Sequence, residues 1–163
     1  DDLKAAIRAV ATAVPIWVTD FAPGAVVQVG GSATMEPSVL KGERVLAVSG
    51  IGNPASFRKL LETAGAAVAE HCVFPDHHAY SREDVQKVRQ AAERAGAVRI
   101  VTTEKDAVKL AQLVSSPSPG EPVALHHAMG HGEGRVRGGF WAVRIDLVWL
   151  EGREEWERMV VNA

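Results

Sequence analysis

Three short stretches carry the residues that could do chemistry. The first is Phe74-Pro75-Asp76-His77-His78. Imidazole is the side chain best suited to moving a proton near neutral pH, and an adjacent carboxylate can fix its tautomer and raise its basicity. Pro75 stiffens the approach, so the pair is presented rather than left floppy. His77 and His78 are neighbours in sequence and must point in different directions, so one of them at most leads a reaction. The bland alternative is a polar surface turn. The second stretch is Thr102-Thr103-Glu104-Lys105-Asp106-Ala107-Val108-Lys109. A helix start favours anions and offers free backbone N–H groups. Glu104 and Asp106 suit that dipole with no ligand at all. Lys105 opposes it, which leaves it to pair with a phosphate or with one of the acids. The third is Ser49-Gly50-Ile51-Gly52-Asn53-Pro54, where two glycines ahead of a helix let backbone approach a ligand closely. It is not a phosphate-binding P-loop, because no Gly-Lys-Ser/Thr follows, here or elsewhere in these 163 residues.

The other reactive residue types read as structural. His71 lies in an apolar stretch. Cys72, the single cysteine, lies beside it and reads as a buried, inert thiol; alone it excludes an internal disulfide. His126, His127 and His131 flank a glycine-rich segment, but no ordered His/Asp spacing accompanies them and no metal site is expected. The four tryptophans suit core or edge packing.

Each stretch follows an apolar run, and those runs must position it. Val45–Val48 is continuously apolar, as expected of a strand covered on both faces. Asn53 as cap and Pro54 at the first helical position open a helix whose stripe is Phe57, Leu60, Leu61 and Ala64, stopped by Gly65. Ala66–Val73 contains the next strand. Ser81 and Asp84 resemble a capping box, and Val85, Val88, Ala92 and Ala95 form the inner stripe of a second helix ended by Gly96. Val98–Val101 is a third strand, and Thr102 or Thr103 caps a helix running to about Val114. Strand and helix therefore alternate through residues 44–114. The predicted class is α/β: a parallel-sheet, three-layer, Rossmann-like domain, whose strand ends open their loops onto one edge, where such sheets hold ligands.

The flanks are less regular. Residues 1–43 read as a connector or small sheet region, with an amphipathic helix over 3–13 and short strands at Ile16–Val18 and Ala25–Val29 separated by Pro23-Gly24. Residues 115–163 read as a loop, late strands at Val123–Leu125 and Phe140–Trp149, and a terminal helix over Glu151–Val161. One domain is expected in all. The chain begins without methionine and opens straight into a helical pattern, so it is expected to be a piece of a longer protein. The net charge is −2 and the basic residues are dispersed, which argues against a nucleic-acid-binding face. No run of about 18 apolar residues exists to cross a bilayer.

Taken in order and spacing, Ser49-Gly50-Ile51-Gly52-Asn53-Pro54-Ala55-Ser56-Phe57, Phe74-Pro75-Asp76-His77-His78 and Thr103-Glu104-Lys105-Asp106-Ala107-Val108-Lys109 resemble the C-terminal half of the tetraacyldisaccharide 4'-kinase family. The match is good over residues 38–114 and loose on the flanks; residues 115–139 are longer and richer in Gly and His than that family suggests. The resemblance implies an enzyme, a Mg²⁺-dependent P-loop kinase that moves the γ-phosphate of ATP to the 4'-hydroxyl of an acylated disaccharide 1-phosphate in lipid A biosynthesis. It implies that the P-loop, most of the ATP- and Mg²⁺-binding residues and the membrane-anchoring segment belong to the other, N-terminal half, so this piece alone would be inactive. It implies a place at the cytoplasmic face of a bacterial inner membrane, or in mitochondria for a plant relative. His77 is the position it implies for activating the sugar hydroxyl, with a dyad aspartate from the other half. Asp76 would orient it. Ser49, Gly50, Gly52, Asn53, Thr103, Glu104 and Lys105 would shape the substrate or nucleotide pocket.

Two other readings compete on the residues alone. Asp-His-His also occurs as a metal-ligand motif in metal-dependent phosphoesterases, but such a site needs further carboxylates after strands, and Asp20 and Asp106 are poor candidates for them. A non-catalytic α/β binding module is the other.

Overall fold

The computed structural model describes residues 2–114 and 139–161. They form two compact units: residues 23–114 with 139–145, and residues 2–22 with 146–161. Val26 and Leu40, from the presumed connector, are fully buried beside Val45 and Ala47.

The larger unit is built on β3 (Arg44–Ser49), α2 (Pro54–Thr63), β4 (Ala67–Val73), α3 (Arg82–Arg94), β5 (Arg99–Thr103) and α4 (Glu104–Val114). Before them come β1 (Val18–Gln28), the short β2 (Thr34–Met35) and a 3-10 turn at Pro37–Leu40; after them comes β6 (Phe140–Glu151). The sheet order is β2-β1-β6-β5-β3-β4. β4, β3, β5 and β6 are mutually parallel, and β1 pairs antiparallel with β2. Alternation along β3 explains the layers. Leu46 and Val48 pack with Val85, Val88 and Ala92 of α3 and Leu110 of α4, while Val45 and Ala47 pack with Phe57 and Leu61 of α2. Each leucine buried in this way contributes about 2 kcal/mol. The α/β three-layer class is the one the sequence predicts.

The crossovers fix the site edge. From β3 the chain steps outward through α2 to β4, returns across the other face through α3 to β5, then moves on toward β6. The direction in which successive strands are added to the sheet thus reverses at the β3/β5 pair, which makes their shared C-terminal end a topological switch point.

One expectation fails locally. Instead of two strands broken at Pro23-Gly24, β1 runs unbroken from Val18 to Gln28. Proline removes a ladder donor, but β2 pairs only with Val26 and Val27, so it asks for no N–H at Pro23. The late strand at Phe140 runs to Glu151, and the expected strand Val123–Leu125 lies outside the described residues.

The smaller unit holds α1 (Asp2–Val10), the start of β1, the end of β6 and α5 (Arg153–Val161). Lys4 pairs with Glu151, and Trp149 packs on Trp156 with ring centroids 5.2 Å apart. Gly152 turns the chain into α5 at φ +81°, pressed so close to Trp17 that a Cβ would lie 2.5 Å from the indole. Neither of its helices buries a residue fully.

Candidate functional site

The three stretches converge at the switch point, and a buried carboxylate joins two of them. Asp106 has no solvent exposure although it stands in the first turn of α4. Its Oδ2 accepts the Gly50 N–H (2.8 Å) and the Thr103 hydroxyl (2.7 Å), while Thr103 Oγ1 accepts the Asp106 N–H (3.1 Å) and so caps α4. The glycine loop after β3 is thereby tied to the helix tip after β5. Beside them sits Tyr80, from the loop after β4. A Cβ on Gly50 would lie 3.0 Å from the Tyr80 hydroxyl, 3.1 Å from the Pro75 carbonyl oxygen and 3.3 Å from Asp106 Oδ1. Burial, and then the Asp106 charge, hold the Tyr80 phenol far above its ordinary pKa.

The Asp-His-His loop is a tight turn. The His78 N–H donates to the Pro75 carbonyl (3.1 Å). Its third residue, His77, has φ +60°, the one non-glycine residue with positive φ among those described. Glycine ordinarily takes that place. Asp76 offsets the cost: its Oδ1 accepts the His77 N–H (2.9 Å). The same oxygen accepts Lys105 Nζ (2.8 Å), the partner that most depresses the Asp76 pKa. Lys105 does therefore pair with an acid, one from a neighbouring loop. Gly52 closes the cluster, its missing Cβ 3.6 Å from Asp76 Oδ2.

The imidazoles part company, as adjacent residues must. His77 is 77% exposed in its side chain, and its Nε2 lies 3.8 Å from Asp76 Oδ2, beyond a hydrogen bond. Asp76 thus orients the His77 backbone but does not hold its ring. His78 is committed: Nε2 bonds Asp84 Oδ2 (3.0 Å), its ring stacks on Phe74 at 4.8 Å, and Lys109 Nζ donates to its carbonyl (3.0 Å). Asp84 is also the acid of the predicted capping box with Ser81. A metal site built on both histidines would have to break these contacts. Among the described residues, no three His, Cys, Asp or Glu side chains stand close enough to share a metal ion.

Other candidates are spent elsewhere. The Ser49 hydroxyl is buried and bonds His71 Nε2 on the adjacent strand (2.8 Å). Asn53 Oδ1 accepts the Ser56 N–H (3.1 Å) as the α2 cap. Glu104 is exposed at the start of α4. His71 is structural: burial lowers its pKa, with Arg58 adding to the shift. Burial raises the Cys72 thiol. His126, His127 and His131 lie outside the described residues. Sequence reasoning missed Asp106 and Tyr80 as parts of the cluster. The signal for Asp106 was its place opposite a glycine whose backbone N–H needs an acceptor, visible only once β3 and β5 are neighbours.

The model of the family described as tetraacyldisaccharide-1-P 4'-kinase matches residues 2–132. The chain belongs to this family. A tetraacyldisaccharide 4'-kinase of Syntrophus aciditrophicus is 42% identical over 99 residues, covering 61% of this chain and 26% of that protein. One from an Anaeromyxobacter species is 51% identical over 72 residues, or 44% of this chain and 19% of that protein. The chain thus spans about a quarter or less of these relatives' length. The crystal structure of the "apo" form of LpxK from Aquifex aeolicus in complex with ATP matches 92% of this chain and 36% of its own, with a TM-score of 0.50 at 20% identity. That likeness is one of fold.

Proposed function

We propose that this chain is the histidine-bearing part of a tetraacyldisaccharide 4'-kinase. The sugar 4'-hydroxyl attacks the γ-phosphorus of ATP. A new O–P bond forms, the bond to the β,γ-bridging oxygen breaks, ADP leaves, and the hydroxyl proton passes to the His77 imidazole. Phosphoryl transfer asks the protein mainly for positioning and charge stabilisation, with a base needed only to receive a proton. The observation that carries the reading is His77 itself: an exposed imidazole held in left-handed backbone at a switch point, with no hydrogen bond to its ring among the described residues.

The described carboxylates do not fit a magnesium site. Asp76 is neutralised by Lys105, and Asp106 is buried against Gly50 and Thr103. ATP and Mg²⁺ are accordingly assigned to the rest of the polypeptide, along with the P-loop and the membrane contact at the inner face of the bacterial inner membrane. Alone, residues 1–163 should transfer no phosphate.

The test uses the full-length protein with ATP and tetraacyldisaccharide 1-phosphate. His77→Ala should lower kcat at least about 100-fold, the low end for a lost general base, with the melting temperature held. Wild-type kcat in His77→Ala would remove the histidine from the mechanism. Transfer by residues 1–163 alone would refute the division of labour.

A further inference from the structure

We propose that Lys105 is a positioning residue for His77: by gripping Asp76 through one oxygen, it keeps that carboxylate from closing on the imidazole and leaves the ring free to take a proton. The inference rests on the reading of His77 as proton acceptor and adds to it the residue that keeps the ring available. A cation in the first turn of a helix opposes the dipole, and an ion pair this exposed adds little to stability. Stability alone therefore gives little reason for a lysine at this position.

The geometry gives one. Asp76 Oδ1 takes both the Lys105 ammonium (2.8 Å) and the His77 N–H (2.9 Å). Oδ2 is left facing His77 Nε2 at 3.8 Å. A hydrogen bond needs about 2.7–3.2 Å, so a small pivot of the carboxylate would make the pair. Without Lys105, the imidazole is the cation-forming group nearest to Asp76, and the carboxylate stays tethered beside it by the His77 N–H. The closed pair favours imidazolium, which has no lone pair to accept a proton.

Among the described residues, the surrounding charges do not substitute for Lys105. The loop after β3 brings none, since Gly50-Ile51-Gly52-Asn53 holds no titratable side chain. His78 and Asp84 are bonded to each other, and Lys109 is engaged by the His78 carbonyl. Asp106 is buried behind Gly50, and Glu104 adds negative charge, which works in the same direction as a freed Asp76.

The experiment is the pH dependence of kcat/KM of the full-length kinase, whose acid limb reports the base in the free enzyme. Lys105→Met should move that limb upward by about one unit, the low end for a newly paired opposite charge. Lys105→Arg should leave the limb at its wild-type position, and the double variant Lys105→Met with Asp76→Asn should return it there. A rate loss in Lys105→Met that is uniform in pH would overturn the proposal, as would a limb that stays in place. His77→Gln separates the two ideas. If His77→Gln keeps the wild-type rate and limb, the underlying base assignment fails. If it loses both while Lys105→Met leaves the limb unmoved, only the role of Lys105 fails.

Discussion

The Gly50 N–H donates across the switch point to Asp106 Oδ2 at 2.8 Å, so one buried carboxylate joins the loop after β3 to the helix that follows β5. A charged acceptor inside a protein is sustained by its donors, and each such bond contributes about 1.5–3 kcal/mol. Here the donors are a backbone amide and the Thr103 hydroxyl.

Asp106→Ala should therefore cost about 3 kcal/mol or more, since it strands the Gly50 amide and leaves a cavity. Asp106→Asn keeps the shape and one acceptor oxygen and should cost less. Urea denaturation of the two full-length variants checks the ordering. Equal losses would mean that volume, not hydrogen bonding, sets the contribution of Asp106.

Gly50 is confined by oxygens on three sides. Gly50→Ala should destabilise by about 1–3 kcal/mol, as overpacking does. The Tyr80 hydroxyl is the nearest of the three obstacles, at 3.0 Å from the added carbon. Tyr80→Phe removes it, so the double variant should recover part of the loss. A double-mutant cycle measures the coupling, and strict additivity would show that Tyr80 is not what the new methyl meets.

Local signals made much of this edge legible. Asn53-Pro54, Ser81 with Asp84, and Thr103 each declare a helix start within four residues, and each forms the cap its sequence announces. The apolar runs gave the strands because a doubly covered parallel strand has little freedom in composition. Sheet order was another matter. Nothing near Asp106 reveals that Gly50, 56 positions away, will offer it an amide. Asp106 in a first helical turn has a sufficient local explanation in the dipole, and that explanation hid its burial. Lys105 opposed the dipole, and this misfit with local rules correctly flagged a partner from elsewhere. Pro23 misled in the opposite sense: β2 pairs only with Val26 and Val27, so on that side no strand asks for the N–H that proline lacks.

Asp84 predicts an acid-side weakness. Its pKa is depressed chiefly by the His78 hydrogen bond and then by the Ser81 N–H. A carboxylate with a folded-state pKa below its unfolded value stabilises at pH above the unfolded value, about 3.9. That stability is lost as pH falls through the lower folded value. The α3 cap should thus weaken as the solution is acidified below about pH 4. Asp84→Asn should lower the melting temperature at neutral pH, and its difference from wild type should shrink on acidification. A constant difference across that range would mean the Asp84 charge is irrelevant to the cap.

His77 allows stability and activity to be driven in opposite directions. Its left-handed backbone costs a non-glycine residue about 1 kcal/mol, whereas glycine adopts φ +60° freely. His77→Gly keeps the N–H that Asp76 accepts and the turn that His78 closes onto Pro75. Its side chain is mostly solvated, so little packing is lost with it. Folding of His77→Gly should be as stable as wild type or more so, while phosphate transfer by the full-length enzyme falls at least about 100-fold. Thermal denaturation and kcat on the same preparation decide it. A residue kept in a strained place for its imidazole predicts this divergence; a residue kept for the turn predicts that both quantities fall together.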